Sequence, residues 1–284
     1  MLIYKNTFEN IKTIGIDFPV EDQCYADELC AIVADGITRD PIGLPDFSVV
    51  SEQEAVRKYP RPSGAELAAK EICAKFPSVS GSLKDRLVFC NEAVKNLNDK
   101  YIKECDYLEN DYYGSVAACI EFQENILKYA YICDCGVIVY GGNGNIKFQT
   151  IDDKKVNSDP YKSKSNLPPW YLPECRKIVR SEWRNNPNNI VDGKCVSFGA
   201  LTGEKTAIEF IKNGEVPLRK NDSIIVYSDG FSEFLHEEEF IKNILDFNSE
   251  KFENYIGKKS KEDSSRYGKE KTLVLYKYWK EEWF

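Results

Sequence analysis

Two continuous apolar runs that each end in Asp-Gly constrain this chain more than any other feature. The first is LCAIVAD, residues 29–35, followed by Gly36, and the second is SIIVYSD, residues 223–229, followed by Gly230. A run of apolar residues without polar alternation is typical of a strand buried on both faces. The glycine lets the backbone come close to another element. We therefore predict two interior strands, each of which delivers one aspartate to a turn.

The rest of the chain supplies helices and further strands for a core. A helix is predicted over Gly64–Lys75, with Ser63 as its N-cap and Glu66 completing a capping box. A longer helix, about Ser82–Lys103, follows from the apolar residues on one of its faces. Further strands are predicted at Ile11–Phe18, Gly114–Glu121, Ile126–Cys133, Val137–Tyr140, Ala207–Lys212 and Thr272–Tyr278. This mixture indicates an α+β fold, which the strand pattern alone does not narrow to one architecture.

In three stretches the apolar residues show neither the helical nor the strand periodicity. Residues 41–62 are predicted as loop, and Lys258–Lys271 as a charged loop. Residues 151–194 are interpreted as an insertion or flap, with one short helix near Cys175–Arg184. The whole chain, residues 1–284, is interpreted as a single domain that carries this insertion.

Composition excludes several classes of function. The net charge is −8, and no basic block spans the chain, which argues against a nucleic-acid-binding surface. The sequence shows neither a signal peptide nor a membrane span. Ten cysteines, none in a CxxC pattern, accompany one histidine; we interpret them as reduced, mostly buried thiols, with a disulfide framework or zinc site as the alternative. We therefore expect a cytoplasmic protein, and the oligomeric state stays open.

Three acidic motifs lie at the ends of predicted strands: Glu21-Asp22, Asp35-Gly36 and Asp229-Gly230. Mg²⁺ and Mn²⁺ prefer oxygen ligands, usually a few carboxylates, a carbonyl and several waters. Asp-Gly is also a common turn, so turn chemistry explains any one of these pairs taken alone. The three motifs together favour a centre for divalent metal ions.

In this order, the motifs resemble those of the metal-dependent protein phosphatases, the PPM or protein phosphatase 2C family. The resemblance covers most of the chain, with residues 41–62 and 151–194 poorly matched. It implies a four-layer α-β-β-α sandwich of two mainly antiparallel sheets flanked by helices. The matching pieces are Glu21-Asp22, AIVADG (31–36), GAELAAKE (64–71), Gly114-Ser115, YICDCGVIVY (131–140), SIIVYSDGFSEFL (223–235) and TLVLY (272–276).

The resemblance also implies a chemistry. Family members hydrolyse phosphoserine or phosphothreonine esters in a phosphorylated protein or peptide, with water held between two Mn²⁺ or Mg²⁺ ions. Carried over by position, Asp35 bridges the two metals, the Gly36 carbonyl binds one and Asp229 ligates the other. Glu21 and Asp22 hold metal directly or through ordered water. Asp35 and Asp22 are thus the implied catalytic residues.

Two departures from the family pattern concern the substrate. Many members carry an arginine four residues before the Glu-Asp pair, where it contacts the substrate phosphate, but this chain has Asp17 there. A carboxylate repels phosphate, so Arg39 is the candidate substrate-binding residue, although a surface role is the simpler interpretation. Relatives can carry a histidine shortly after the ADG motif that protonates the leaving group, whereas Ile37 follows here. The only histidine, His236, is predicted at an exposed helix end.

A third departure concerns the metals. The family usually presents an aspartate three residues before the Thr or Ser of its last strand, and at Thr272 that position is Lys269. The lysine places a cation where a metal ligand is expected. Glu270 is the candidate replacement ligand, and Asp263 is a second one. Asp134, in the strand pair that matches the family, is expected to be structural.

Two functions are consistent with these agreements with the family motifs and departures from them. The first is a divergent metal-dependent phosphatase, which Asp35, Gly36, Asp229 and the pair Glu21-Asp22 favour. The second is a catalytically weak or inactive protein of the same fold that serves as a regulatory binding module, which Asp17, Ile37 and Lys269 favour. Metal-dependent activity discriminates between them.

Overall fold

The computed structural model describes residues 2–12, 17–37, 51–101, 106–163, 165–169 and 172–278. The strands are β1 (Leu2–Phe8), β2 (Gln23–Ala26), β3 (Cys30–Ile37), β4 (Gly114–Gln123), β5 (Ile126–Ile132), β6 (Gly136–Tyr140), β7 (Ile146–Gln149), β8 (Ile190–Val191), β9 (Lys194–Cys195), β10 (Lys212–Pro217), β11 (Ser223–Tyr227) and β12 (Lys271–Lys277). The helices are α1 (Glu52–Lys58), α2 (Gly64–Lys75), α3 (Leu83–Asn98), α4 (Asp159–Lys162), α5 (Pro173–Ile178), α6 (Glu238–Leu245), α7 (Ser249–Glu262) and α8 (Ser264–Tyr267). None of the helices within these ranges has the length and apolar character that crossing a membrane requires.

Ten of the strands form two five-stranded sheets. The first sheet has the order β1-β12-β11-β6-β7, and the second has the order β10-β5-β4-β3-β2. Neighbouring strands run antiparallel in both sheets. The two short strands β8 and β9 pair with each other.

The interior strands of the first sheet are buried on both faces. In β11, Ile224 and Val226 lie in a core cluster shared with the second sheet, whereas Ile225 and Tyr227 lie in a cluster with residues of α6 and α7. Strands β6 and β12 divide their residues between the same two clusters. Because successive side chains of a strand point to opposite faces, a strand in this position needs an unbroken apolar run. The run that ends at Asp229 is therefore explained by its place in the fold.

Helices cover the other face of the second sheet. Ala68 and Ile72 of α2, together with Leu87 and Val94 of α3, belong to the core cluster that contains β3, β4 and β5. The order of layers is therefore helices α2 and α3, the second sheet, the first sheet, and helices α6 and α7. This is the α-β-β-α sandwich that the resemblance to the metal-dependent protein phosphatases implies.

The first predicted helix is confirmed at both ends. Helix α2 begins at Gly64 and ends at Lys75, and the side chain of Ser63 accepts a hydrogen bond from the backbone N–H of Glu66. The side chain of Glu66 bonds Lys70. The second half of the predicted capping box is therefore replaced by an ion pair on the helix surface.

Four predicted elements are wrong. The stretch 41–62, predicted as loop, contains helix α1 in its described part. The described residues of 11–18 are not in a strand, and the first strand is β1. Residues 205–210 form a 3₁₀ turn, so the strand predicted there begins only at β10. The charged stretch 258–271 is mostly helical, because it holds the end of α7 and all of α8. In α7, Phe252, Tyr255 and Ile256 are buried, so one apolar face is enough to hold a helix that is otherwise highly charged.

We expect Phe240→Ala to lower the free energy of unfolding by about 3–5 kcal/mol, because a buried aromatic ring is lost and a cavity remains. Phe240 of α6 is fully buried and contacts the rings of Phe231, Phe234 and Phe252. Phe89 of α3 is 45% exposed, so Phe89→Ala is the matched control, with a change within about 0.5 kcal/mol. Urea denaturation measures both, and equal losses would contradict the burial of α6.

Candidate metal centre

Asp35 and Asp229 approach the same place from different sheets. Asp35 lies in β3 of the second sheet, opposite Val116 of β4, and is half-buried. Asp229 follows β11 of the first sheet and opens a 3₁₀ turn, Asp229–Phe231. Burial raises the pKa of Asp35 well above its usual range, and the charges of Asp22 and Asp229 raise it further. Since charges act on each other strongly only at short range, the two predicted aspartates share one electrostatic environment.

The glycine after each aspartate is required by close backbone packing. A Cβ atom on Gly36 would lie 2.4 Å from the carbonyl oxygen of Ala65 in α2. A Cβ atom on Gly230 would lie 2.0 Å from the carbonyl oxygen of Glu270. The predicted close approach is therefore confirmed, and its partners are the first turn of α2 and the residue before β12.

Glu21 and Asp22 are almost completely buried, at 1% and 4% exposure. The Asp22 Oδ2 accepts a 2.6 Å hydrogen bond from the hydroxyl of Ser228, the residue before Asp229. The Glu21 Oε1 accepts a 2.6 Å hydrogen bond from the hydroxyl of Ser63, the N-cap of α2. The two consecutive carboxylates thus connect the first sheet and the helical layer.

Glu270 fixes the backbone of this acidic pair. Its Oε1 accepts hydrogen bonds from the backbone N–H of Glu21, at 2.8 Å, and of Asp22, at 2.7 Å. Glu270 therefore lies beside the acidic pair, and its role as a metal ligand stays a prediction. The structure adds that Oε1 of Glu270 fixes the backbone at Glu21 and Asp22, since both amides donate to this one oxygen.

The buried carboxylates repel one another. Burial raises the pKa of Asp22 to about 7, with the charge of Asp229 adding to the shift. Burial likewise raises the pKa of Glu270 to about 8, and the charge of Asp22 contributes. Each shift means that the ionised form is destabilised by its surroundings. The cluster therefore favours binding of a positive charge.

Two lysines already lie at the edge of this cluster. Lys269 Nζ is 2.9 Å from Asp229 Oδ2, and Lys154 Nζ is 2.9 Å from Asp134 Oδ2. Burial would raise the pKa of Asp134, but the charge of Lys154 outweighs it and lowers that pKa. Asp134 is thus in an ion pair, which agrees with the structural role expected for it.

The other residues singled out by the sequence lie elsewhere. Arg39 is outside the described residues. His236 is exposed in the turn before α6, as predicted. Asp263 caps α8, where its Oδ1 accepts hydrogen bonds from Ser265 and Arg266, so the prediction of Asp263 as a metal ligand is not supported by its position.

Sequence reasoning missed an arginine. Arg61 Nη2 donates a hydrogen bond to the backbone carbonyl of Asp17, and it lies 4.0 Å from the carboxylate of Asp17. Arg61 also stands two residues before Ser63, whose hydroxyl bonds Glu21. A guanidinium is therefore present beside the position where Asp17 replaces the family arginine. Nothing in the local pattern PRPS signals this, because the pairing depends on residues more than 40 positions apart.

The donor set fits a hard divalent cation. All side chains in the cluster offer oxygen, and the Gly36 carbonyl lies on the same strand as Asp35. Within the described ranges, no three His, Cys, Asp or Glu side chains are placed so that they alone would hold a metal ion. Mg²⁺ is usually bound through one or two carboxylates and keeps several waters, so the cluster suits a partly hydrated ion.

A groove of about 430 Å³ lies beside Asp229. Its lining carries both signs of charge and includes residues of the irregular segment 151–194 and of α8. The lining residues are Asp134, Asp152, Lys154, Lys155, Asp159, Asp229, Gly230, Ser232, Glu233, Ser265, Arg266 and Lys269. The groove therefore gives access to Asp229 from the side of the two lysines.

We expect Glu270→Ala to lower the free energy of unfolding of the metal-free protein by about 1–3 kcal/mol, because buried amides lose their acceptor. Glu270→Gln keeps an oxygen acceptor and removes the charge. The pKa of Glu270 is raised from 4.5 to about 8, so its protonated form stabilises the folded state below about pH 4.5, and this contribution is lost as the pH rises through 8.

The Gln variant lacks this loss. Its stability relative to the unmutated protein should therefore increase between about pH 5 and about pH 9. Urea denaturation in a chelating buffer measures the difference. A Gln variant whose relative stability does not change with pH would contradict the raised pKa.

Comparison with known proteins gives no match to a family model and no match to a curated protein. Solved structures do match. The Mycobacterium tuberculosis serine/threonine phosphatase PstP/Ppp superposes with a TM-score of 0.59 at 15% identity, covering 98% of this chain and 99% of that chain. The catalytic domain of PstP in complex with 2 manganese ions gives 0.56 at 16%, covering 96% of each chain.

PppA, a regulatory component of the type VI secretion system in Pseudomonas aeruginosa, gives a TM-score of 0.56 at 12% identity, covering 98% of this chain and 97% of that chain. The TM-scores and coverages establish a common fold over almost the whole of each chain, and identities this low establish the fold alone. The chain therefore has the fold of these bacterial serine/threonine phosphatases, as its resemblance to the metal-dependent protein phosphatases predicted.

Proposed function

We propose that this chain is a divergent metal-dependent phosphatase that hydrolyses phosphoserine and phosphothreonine esters in proteins. The observation that carries the proposal is the convergence of Asp22, Asp35, Asp229 and Glu270 at one edge of the two sheets, where their charges act on one another. Buried like charges are retained at a cost to stability, and a divalent cation offsets that cost.

Asp35, Asp22 and the carbonyl of Gly36 are proposed to hold the ion. When bound, a divalent ion lowers the pKa of a coordinated water and shields the oxygens of a phosphoryl group. Ser228 orients the carboxylate of Asp22 through its 2.6 Å hydrogen bond. Glu270 holds the backbone that carries Glu21 and Asp22. These contacts fix the oxygen donors before a cation arrives, which lowers the cost of ordering the site.

Arg61 is proposed to bind the substrate phosphate in place of Arg39. Its side chain is 44% exposed, so it is accessible to a ligand, and its contact with Asp17 holds it near the Glu21 segment. A planar guanidinium with several N–H donors matches the oxygens of a phosphate ester. The groove beside Asp229 is proposed to receive the peptide around the phosphorylated residue.

We expect Mn²⁺ or Mg²⁺ to support hydrolysis of p-nitrophenyl phosphate and of a phosphothreonine peptide, and Asp35→Asn to reduce kcat/KM at least about a hundredfold. Asp192→Asn is the matched control. Asp192 is exposed in the β8–β9 turn and has a φ of 50°, a conformation that asparagine also adopts. The control should keep full activity.

A folded, metal-loaded protein that hydrolyses neither substrate would refute this proposal. The alternative is then a phosphatase-fold protein that serves as a regulatory binding module. The ion pairs of Lys269 with Asp229 and of Lys154 with Asp134 favour that alternative, because they neutralise two carboxylates without a metal.

Arg61→Ala should raise KM for the phosphopeptide by about tenfold or more, since a hydrogen bond between charged groups contributes about 1.5–3 kcal/mol. Arg61→Lys should recover only part of the loss, because an ammonium lacks the planar fork. Arg57→Ala, at an exposed position in α1, removes the same charge and should leave KM unchanged. Equal KM values for both alanine variants would rule out a role of Arg61 in phosphate binding.

A further inference from the structure

Lys269 occupies a defined place at the metal centre. Its Nζ lies 2.9 Å from the Oδ2 of Asp229, and its side chain is 49% exposed, whereas that of Asp229 is 24% exposed. The ammonium group thus lies on the solvent side of the aspartate. Any second ion that uses this carboxylate oxygen has to displace Lys269 first.

Backbone contacts keep Lys269 in this position. The next residue, Glu270, packs its carbonyl oxygen where a Cβ atom on Gly230 would lie, so the chains at 230 and 270 touch directly. On the other side, the backbone N–H of Ser228 donates to the carbonyl of Thr272 at 3.0 Å. Because residues 228–230 and 270–272 are held together, the side chain of Lys269 needs no loop movement to reach Asp229.

We propose that Lys269 is a built-in cation that takes the place of one divalent ion at Asp229. The resting protein then binds one ion, on the side of Asp35, and the two-ion form implied by the sequence resemblance is not reached in the unmodified chain. This inference rests on the proposed metal-dependent function, and it specifies how many ions that site takes.

Charge explains why the lysine and a second ion exclude each other. An ammonium neutralises one carboxylate and repels a divalent cation placed on the same group. Lys154 adds to this effect, because its paired Asp134 is also neutralised. The Asp35 side differs, since in the described part of the chain no lysine forms an ion pair with Asp22, Asp35 or Glu270. The buried Lys271 is attracted by Asp22 and Glu270, but burial lowers its pKa to about 8 and so weakens its charge.

Mn²⁺ titration of the full chain by calorimetry, with equilibrium dialysis as a check, tests the inference. We expect one Mn²⁺ per chain for the unmodified protein and two for Lys269→Asp, which removes the cation and adds a ligand. Lys155→Asp makes the same change of charge at an exposed position in the same groove and should still give one. Lys269→Gln, which adds no carboxylate, should also take a second ion, so the result does not depend on one variant folding.

Two Mn²⁺ ions per unmodified chain, with affinities unchanged in the Lys269 variants, would overturn the inference. Binding of two Mn²⁺ ions by Lys155→Asp would also overturn it, because the net charge of the groove, rather than the position of Lys269, would then set the number of ions. Absence of bound Mn²⁺ in every folded variant would refute both this inference and the proposed function. One ion in the unmodified protein and two in Lys269→Asp, without phosphatase activity in either, would support the inference and refute the proposed function alone.

Discussion

The carboxylate of Glu270 accepts hydrogen bonds from two consecutive backbone amides, those of Glu21 and Asp22. Glu270 directly precedes β12 of the first sheet, and Asp22 directly precedes β2 of the second. The contact therefore fixes how the edges of the two sheets meet. The hydrogen bond from Ser228 to Asp22 also joins the two sheets, because Ser228 follows β11 of the first sheet and Asp22 precedes β2 of the second. Together they form a polar connection at the edge of a sandwich whose interior is apolar.

This connection brings negative charges together away from water. Burial and the charge of Asp22 hold the pKa of Glu270 at about 8, so the arrangement opposes ionisation of this carboxyl group near neutral pH. Lys271 is 1% exposed in the same region, and its burial lowers its pKa to about 8 against the attraction of Asp22 and Glu270. A single buried lysine with a weakened charge does not balance the cluster. A bound cation would offset the repulsion between these carboxylates.

The sequence predicts the interior of this fold better than its edges. Strands β3 and β11 were recognisable because strands covered on both faces need unbroken apolar runs. Three of the strands that were missed or misplaced, β1, β7 and β10, lie at the edge of a sheet. Edge strands face solvent on one side, and β10 reads KNGEVP with mostly exposed residues. Such a strand carries little apolar signal, so its position is set by the partner strand rather than by its own sequence.

The same distinction applies to the candidate metal centre. Asp35 and Asp229 were predictable because each ends an apolar run, and Gly36 because close packing demands glycine there. The bonds of Ser228 and Glu270 were not predictable, since their partners lie 206 and 248 residues away from them in the chain. Local patterns contain no information on contacts of that separation without the fold.

The fold does not by itself determine the chemistry. The residues that build the centre fall into two groups with different constraints. Asp22 and Glu270 are bonded to other parts of the chain, so replacing them disturbs the packing of both sheets. Asp17 and Lys269 have exposed side chains that contact their partners from the solvent side. The charge at positions 17 and 269 can therefore change while Asp22 and Glu270 stay in place. As a result, the number of bound ions and the residue that binds phosphate can differ between proteins of one architecture.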